Sequence, residues 1–487
     1  MIHFNVPQWI WILEIALSVI NVILALVIIF IERKNPAKTL AWILVLFFLP
    51  IVGAVFYLVF AQNISRRKIY NLDDKDKKII RDSLEDQIEE MNSGEFELSN
   101  EAANIWRQMV KLNLVYGESY LTQNNSIDMF NDGKDFFRSL MKDIKAAKYS
   151  IDIEFYIIKP DFIGQRLLNL LTDKAREGVK VRLLIDTLGS RRISDRKLKD
   201  FIDAGGEVEY FFKPKFKYLN FDLNYRNHRK IVVIDNKYGY IGGFNIAKEY
   251  LGFKKKFGYW RDTHLRIVGN SVQDLKAIFL MDWSVERGEK PDFDEIDFYS
   301  ENTESNIAVQ IVMSGPDSVK EQIKRAMMRM ITFAGEKIYL QTPYFVPDRA
   351  MIESLKMAAQ SGVDVKIMIP CMPDHPFVYW ANYAYCGELI KSGARVFRYE
   401  NGFLHAKTLV VDGEVSTVGS ANFDVRSFRL NFEANAFVYD KDFAAKMEKT
   451  FEDDMKLSTE VTLEDYESRG LWIKIKEAVS VLLSDIL

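Results

Sequence analysis

The sequence predicts an α/β protein whose body consists of two copies of one unit related by pseudo-twofold symmetry, preceded by a transmembrane helical hairpin. Three observations predict this. Two long apolar runs are confined to the first sixty or so residues. The remainder repeats one order of strand-like and helix-like segments. One short motif recurs in both copies at identical spacing.

The first run, residues 10–31, reads IWILEIALSVINVILALVIIFI and is apolar except for Glu14, Ser18 and Asn21. At a rise of about 1.5 Å per residue it matches a hydrocarbon core of roughly 30 Å. Pro36 marks a turn, and residues 40–61 form a second run, interrupted by Pro50 and Gly53. Membrane helices tolerate both residue types. A cleaved secretory signal is the rival reading, but the first eight residues hold no Lys or Arg and the run is too long. Arg33, Lys34 and Lys38 lie between the runs. Arg66, Arg67, Lys68, Lys75, Lys77 and Lys78 follow them, so the excess of positive charge places the body on the cytoplasmic side. Residues 64–100 are charge-dense and poor in Gly and Pro, as expected of a solvated helix or linker.

The body begins near Asn104. In its first copy KYSIDIEFYIIKPD leads to GVKVRLLIDT, AGGEVEYF and NHRKIVVIDNKYGYIGGFN. In the second, EKIYLQTPYFVPDR leads to GVDVKIMIPC, SGARVFRY and LHAKTLVVDGEVSTVGSAN. Strands alternating with helices argue a layered α/β architecture. Strand-like WRDTHLRIVG and NFEANAFVYD follow the respective motifs, each trailed by a helical segment.

The shared motif sets His228, Lys230, Asp235 and Asn245 against His405, Lys407, Asp412 and Asn422. Side chains two apart on a strand share a face, so each His projects beside its Lys while Arg229 or Ala406 faces away. Asp412-Gly413 is a strong tight-turn signal, and Asn236-Lys237-Tyr238-Gly239 a looser one. Glycines at 242, 243 and 419 let backbone approach closely, and the asparagines return to the same end. Imidazole, ammonium and amide together suit a phosphodiester. Lys and Asn hold the non-bridging oxygens while His attacks or donates a proton. Transfer needs both a nucleophile and a general acid, and two facing copies supply two imidazoles. No metal is required.

At these residues the chain resembles the phospholipase D superfamily, over about residues 110–460 and without departure inside either motif. NPAKTLAWILVLFFLPIVGAVFYLVF, YWRDTHLRI, TPYFVPD, FLHAKTLVVD and SANFDVRS narrow the resemblance to bacterial cardiolipin synthases. That resemblance implies two phospholipase D-like α/β/α sandwich halves, at 104–290 and 306–465. Around them lie the hairpin at 1–63, a charged linker at 64–103, a second linker at 291–305 and an amphipathic C-terminal helix at 466–487. It implies phosphatidyl transfer between two phosphatidylglycerol molecules through a phosphohistidine, at a bacterial cytoplasmic membrane and with no cofactor. His228 then attacks and His405 serves as acid and base, or the reverse. Lys230, Asp235, Lys407 and Asp412 complete the catalytic set, Asn245 and Asn422 bind phosphate, and Asp262 and Glu433 orient the imidazoles. Asp235 and Asp412 have a second reading, as acceptors that hold the hairpin turn. Hydrolysis of phospholipids to phosphatidic acid is the alternative chemistry, and a scaffold with a decayed site is disfavoured by two intact motifs.

Composition agrees. The 487 residues carry a net charge of −3, unlike a dedicated nucleic-acid binder. The partners that the resemblance implies are phosphatidylglycerol and the bilayer, with oligomerisation open. Cys371 and Cys386 are too few for a disulfide framework and read as reduced core residues. Phe211–Tyr218 and Phe253–Phe257 interleave Lys with aromatics and read as contacts for anionic head groups, against a solvated-loop alternative. Residues 376–385 read as an acyl-chain wall or a core helix, His264 as structural, His375 as a loop residue. Residues 470–487 read as a core-packing or an interfacial helix.

Overall fold

The computed structural model describes residues 8–31, 36–49, 53, 57, 69–213, 224–296 and 305–482. It forms two units, one of Met1–Ile64 with Pro214–Tyr225, the other of Ser65–Lys213 with Arg226–Leu487.

In the first unit, α1 (Gln8–Ile31) and α2 (Pro36–Phe48) pack on each other. Ile28, Leu46 and Tyr57 are buried together, backed by Leu24 and Trp42. Among the described residues no helix is long and apolar enough to cross a membrane. With 13 residues α2 reaches only about 20 Å, and the side chains at 12–14, 17 and 18, Glu14 included, lie outside the described residues. The expected transmembrane hairpin is therefore not established by these helices.

In the second unit the strand-like runs become one large sheet. Its strands from the first repeat are β1 (Thr122–Phe130), β2 (Ser150–Phe155), β3 (Lys180–Asp186), β4 (Glu207–Phe211), β5 (Lys230–Ile234), β6 (Tyr238–Gly242) and β7 (His264–Gly269). Those from the second are β8 (Ile307–Ser314), β9 (Lys337–Gln341), β10 (Asp364–Pro370), β11 (Arg395–Tyr399), β12 (Thr408–Val411), β13 (Val415–Gly419), β14 (Asn431–Tyr439) and β15 (Ser458–Val461). From one edge the order is β4-β3-β2-β5-β6-β7-β1, and it continues as β8-β14-β13-β12-β9-β10-β11-β15. Read outward from the β1–β8 seam, the two sequences match, apart from the added edge strand β15. The outer strands β2-β3-β4 and β9-β10-β11 are parallel, as helical crossovers require, and the inner hairpins are antiparallel. Helices cover the faces, so β5 and β14 are buried along their whole length; β5 is apolar after Lys230, whereas β14 carries Asn431, Glu433 and Asn435 into the interior. Each fully buried Val or Ile there contributes about 1.5–3 kcal/mol.

Local chemistry sets the crossovers. The Pro-Asp pairs at 160–161 and 347–348 end in matching helix caps. Asp161 accepts from the amides of Ile163 and Gly164, opening Phe162–Arg176, and Asp348 accepts from Met351, opening Arg349–Gln360. The β5–β6 hairpin turns at Asp235 and Asn236, at φ 52° and 50°, and the β12–β13 hairpin at Asp412 and Gly413, at φ 53° and 65°. Both are three-residue connections, 235–237 and 412–414, whose first two residues are left-handed, so the first turn is as tight as the second and starts one residue earlier than its sequence suggests.

Two short strands position the site. Arg226–Asn227 runs parallel to Asn431–Phe432, and Phe403–Leu404 runs parallel to Trp260–Arg261. Each motif histidine thus emerges from a strand paired with the other repeat.

Candidate active site

His228 and His405 lie in the short breaks after these paired segments, rather than within β5 and β12. The chain there must leave one pairing partner before it joins the main sheet. The His amides are held across the repeats: His228 donates to the Phe432 carbonyl at 2.9 Å and His405 to the Arg261 carbonyl at 2.7 Å.

The side chains are held the same way. His228 Nδ1 lies 3.0 Å from both Oε1 and Oε2 of Glu433. His405 Nδ1 lies 2.5 Å from Asp262 Oδ2. The sequence reading left open which acid serves which imidazole, and the structure pairs each histidine with the carboxylate from the opposite repeat. With both Nδ1 atoms engaged, Nε2 is the nitrogen left for chemistry.

Lys230 Nζ donates to the His228 carbonyl at 2.5 Å, and Lys407 Nζ lies 2.9 Å from His405 Nδ1 while also bonding the His405 carbonyl. Each ammonium therefore sits beside its own imidazole, as the two-residue spacing predicts. Arg229 points the other way, into a buried network with Asp282, Tyr70 and the Glu433 carbonyl. Aromatic rings flank both imidazoles: Tyr156 meets His228 at 4.8 Å, and Trp260 meets His405 at 5.2 Å.

Burial governs the electrostatics. It pushes His228 down to about 4, against the opposing pull of Glu433. Lys230 falls to about 7 for the same reason, with Lys407 adding repulsion. His405 is lowered by burial and by Lys407, and Lys407 by burial. For Asp262 burial acts upward, but Lys407 and His405 outweigh it and hold the carboxyl below its usual range. The cluster thus holds more cationic than anionic capacity and is suited to receive a phosphodiester anion, whose arrival raises the proton affinity of both imidazoles. Folding must keep His228 neutral. Between its unfolded value of 6.5 and about 4 the unfolded chain binds more protons than the folded one. Stability is therefore expected to fall as pH drops through that window, and urea unfolding at pH 4.5, 5.5 and 7 measures it.

The other expected residues divide. Asp235 and Asp412 do not join the cluster. They sit at the far ends of β5 and β12, where Asp235 accepts from the amides of Lys148, Tyr149 and Ser150 at 2.7–2.9 Å. Asp412 accepts from Gly335, Glu336 and Lys337 at 2.8–2.9 Å. Their placement in the catalytic set is corrected to the turn-holding alternative, because a strand's length separates them from the imidazoles. Asp235→Ala and Asp412→Ala are each expected to lose about 2–4 kcal/mol of stability, read as a lowered melting temperature, with turnover per folded molecule little changed. Asn245 is tied into the protein: its Oδ1 accepts from the Ile157 amide at 3.1 Å and its Nδ2 donates to Tyr250 Oη at 2.6 Å. Among the described residues Asn422 Oδ1, buried, has no hydrogen-bond partner.

His264 is fully buried among Phe136, Tyr240 and Phe244, with neither ring nitrogen bonded among the described residues, and burial lowers it to about 3. It stays neutral, in keeping with a structural role. His375 precedes the helix Pro376–Ile390 at its N-cap, and that helix buries Val378, Ala381 and Asn382. Cys386 is buried and Cys371 half-buried, both as free thiols. Of the Phe211–Tyr218 stretch, residues 214–218 lie outside the described residues. In the second basic-aromatic stretch the ammonium groups of Lys254 and Lys256 lie 4.7 and 5.0 Å from the centre of the Phe257 ring. The Arg229–Asp282–Tyr70 network escaped sequence reasoning, since its members lie far apart in the chain.

The family described as "Cardiolipin synthase, PLD-like domain" matches residues 140–283 and 327–455, and the one described as phospholipase D-nuclease N-terminal matches residues 19–62. A cardiolipin synthase of Oceanobacillus iheyensis is 46% identical, over 96% of this chain and 98% of its own length. The major cardiolipin synthase of Bacillus subtilis is also 46% identical over the same shares. Among solved structures, the phosphatidylserine synthase of Haemophilus influenzae superposes with a TM-score of 0.60 at 16% identity, covering 78% of this chain and all of that one. That likeness concerns the fold.

Proposed function

This chain belongs to the phospholipase-D-like cardiolipin synthase family, and on that premise we propose how its two histidines join two molecules of phosphatidylglycerol into cardiolipin and glycerol. Nε2 of His228 attacks the phosphorus of the first lipid. The bond from phosphorus to the glycerol oxygen breaks, and the His405 imidazolium gives that oxygen its proton. The neutral His405 then takes the proton from the terminal hydroxyl of a second phosphatidylglycerol. That oxygen attacks phosphorus, the phosphorus–nitrogen bond to His228 breaks, and cardiolipin leaves. Lys230 and Lys407 neutralise the non-bridging oxygens, and Asn422 offers a further amide. Glu433 and Asp262 hold the imidazoles and stabilise their charged forms.

The observation that carries this reading is the exchange of orienting carboxylates between the repeats. It fits two pseudo-twofold-related halves, 104–290 and 306–465, that are active only together. We further propose that residues 1–63 anchor the chain in the bacterial cytoplasmic membrane, with the body on the cytoplasmic side. The exposed apolar side chains of Trp11, Ile15, Val22, Phe30, Phe47 and Phe48 support this.

Incubation of the purified full-length protein with phosphatidylglycerol vesicles tests the chemistry. Cardiolipin and glycerol are expected in equal amounts. Phosphatidic acid without cardiolipin would replace transfer by hydrolysis.

A further inference from the structure

The C-terminal helix Leu471–Leu482 is turned inside out for a protein in water. Its exposed face carries Leu471, Trp472, Ile475, Val479 and Leu482, with Leu471 75%, Trp472 68% and Leu482 81% accessible. Its buried face carries Glu477 and Ser480, at 4% and 1%. This is no register accident, because the buried side is built for polar groups. Arg469 grips Glu477 with two hydrogen bonds of 2.7 and 2.8 Å, and the same guanidinium stacks over the Tyr466 ring. Tyr466 in turn packs where Gly387 has no side chain. The helix is thus docked firmly along Pro376–Ile390 with its apolar stripe facing away from the protein. Amphipathic helices on a protein surface normally bury that stripe.

We infer that this stripe is a bilayer-docking face that lies in the interface of an anionic phospholipid membrane. Three features select this occupant. Lys474, exposed, and Lys476, whose ammonium lies 4.9 Å from the Trp380 ring, place positive charge beside the stripe, as an anionic lipid surface demands. Trp472 supplies the amphipathic ring favoured at the depth of the head groups. The supporting helix Pro376–Ile390 begins two residues after Asp374, whose charge acts on His405 and Lys407. The stripe is therefore carried by the element that leads out of the catalytic cluster, where Phe377 adds another exposed ring. A lipid substrate whose phosphate reaches that cluster must leave its acyl chains at a membrane. The inference rests in part on the proposed lipid chemistry, which its test separates.

The test uses full-length protein reconstituted into phosphatidylglycerol-containing vesicles whose acyl chains carry bromine. Brominated chains quench tryptophans they touch, and the chain has 8 tryptophans, so the wild type is compared with Trp472→Phe. The wild type is expected to show a quenched emission component that Trp472→Phe lacks. Ile475→Glu and Val479→Glu are expected to slow cardiolipin formation on vesicles several-fold, with the rate on detergent-dispersed phosphatidylglycerol unchanged. Equal quenching in wild type and Trp472→Phe would overturn the inference. So would efficient disulfide dimerisation of Val479→Cys in a Cys371→Ser background, which would assign the stripe to a second copy of the chain. Quenching reads contact with acyl chains whether or not cardiolipin forms. A protein that is quenched but makes no cardiolipin would overturn the catalytic reading and leave the docking face standing.

Discussion

Replacing either His228 or His405 by alanine is expected to abolish cardiolipin formation, lowering turnover by about 10⁴-fold or more, as loss of a nucleophile or its proton-transfer partner does in other covalent catalysts. The two single variants should be nearly equal, and the double variant little worse than either, because the two imidazoles act as one unit. Rapid acid quench with phosphatidylglycerol labelled in its acyl chains separates the roles. His228→Ala should form no labelled protein. His405→Ala should be slow at both the formation and the discharge of the phosphohistidine, since it lacks the proton for one step and the base for the other. Labelled protein accumulating in His228→Ala would exchange the roles. Near-normal turnover in either variant would end the two-histidine scheme. Circular dichroism on the same samples confirms that the comparison is between folded proteins.

The second large effect is expected at Asp262. It stands on the opposite repeat from the histidine it serves, with its Oδ2 2.5 Å from His405 Nδ1. Asp262→Asn keeps the shape but loses the charge that fixes the tautomer. An analogous change in a serine-protease triad costs about 10⁴ in kcat, and a loss of about 10²–10⁴ is expected here. Gly243 gives a second route to the same defect. A Cβ at that position would stand 1.9 Å from Asp262 Oδ1, so Gly243→Ala must displace the carboxylate or the backbone beside it. Gly243→Ala is therefore expected to mimic Asp262→Asn in rate, and the pair combined should cost little more than the worse of the two. A Gly243→Ala protein with wild-type kcat would show that the carboxylate's position is unimportant. Additive losses would show that the glycine acts elsewhere.

The second prediction depends on a feature that no local pattern announced, the pairing of a carboxylate with the histidine of the other repeat. The duplicated His-x-Lys spacing is visible in the sequence because a strand's two-residue period converts spacing directly into a shared face. The repeat is visible because each copy carries the same strand and turn chemistry, down to the Pro-Asp pairs that cap the next helix. Asp262 and Glu433 are legible only as acids in matching places, since sequence offset says nothing about which histidine lies across the sheet. Asp235 and Asp412 show the opposite difficulty. They are part of the motif as written, yet their left-handed turns aim them at three backbone amides on the neighbouring segment.

The chain's own sequence determined the α/β repeat, the pairing of imidazole with ammonium and the polarity of the C-terminal helix, since all of these follow from periodicities a few residues long. The tertiary structure alone decided that Glu433 serves His228 and Asp262 serves His405, and that the helix Leu471–Leu482 turns its apolar stripe outward. The physical reason is one of range. Strand and helix periods act between near neighbours, whereas a hydrogen bond across 143 or 205 positions, or the choice of which helix face is buried, exists only once distant segments share one core.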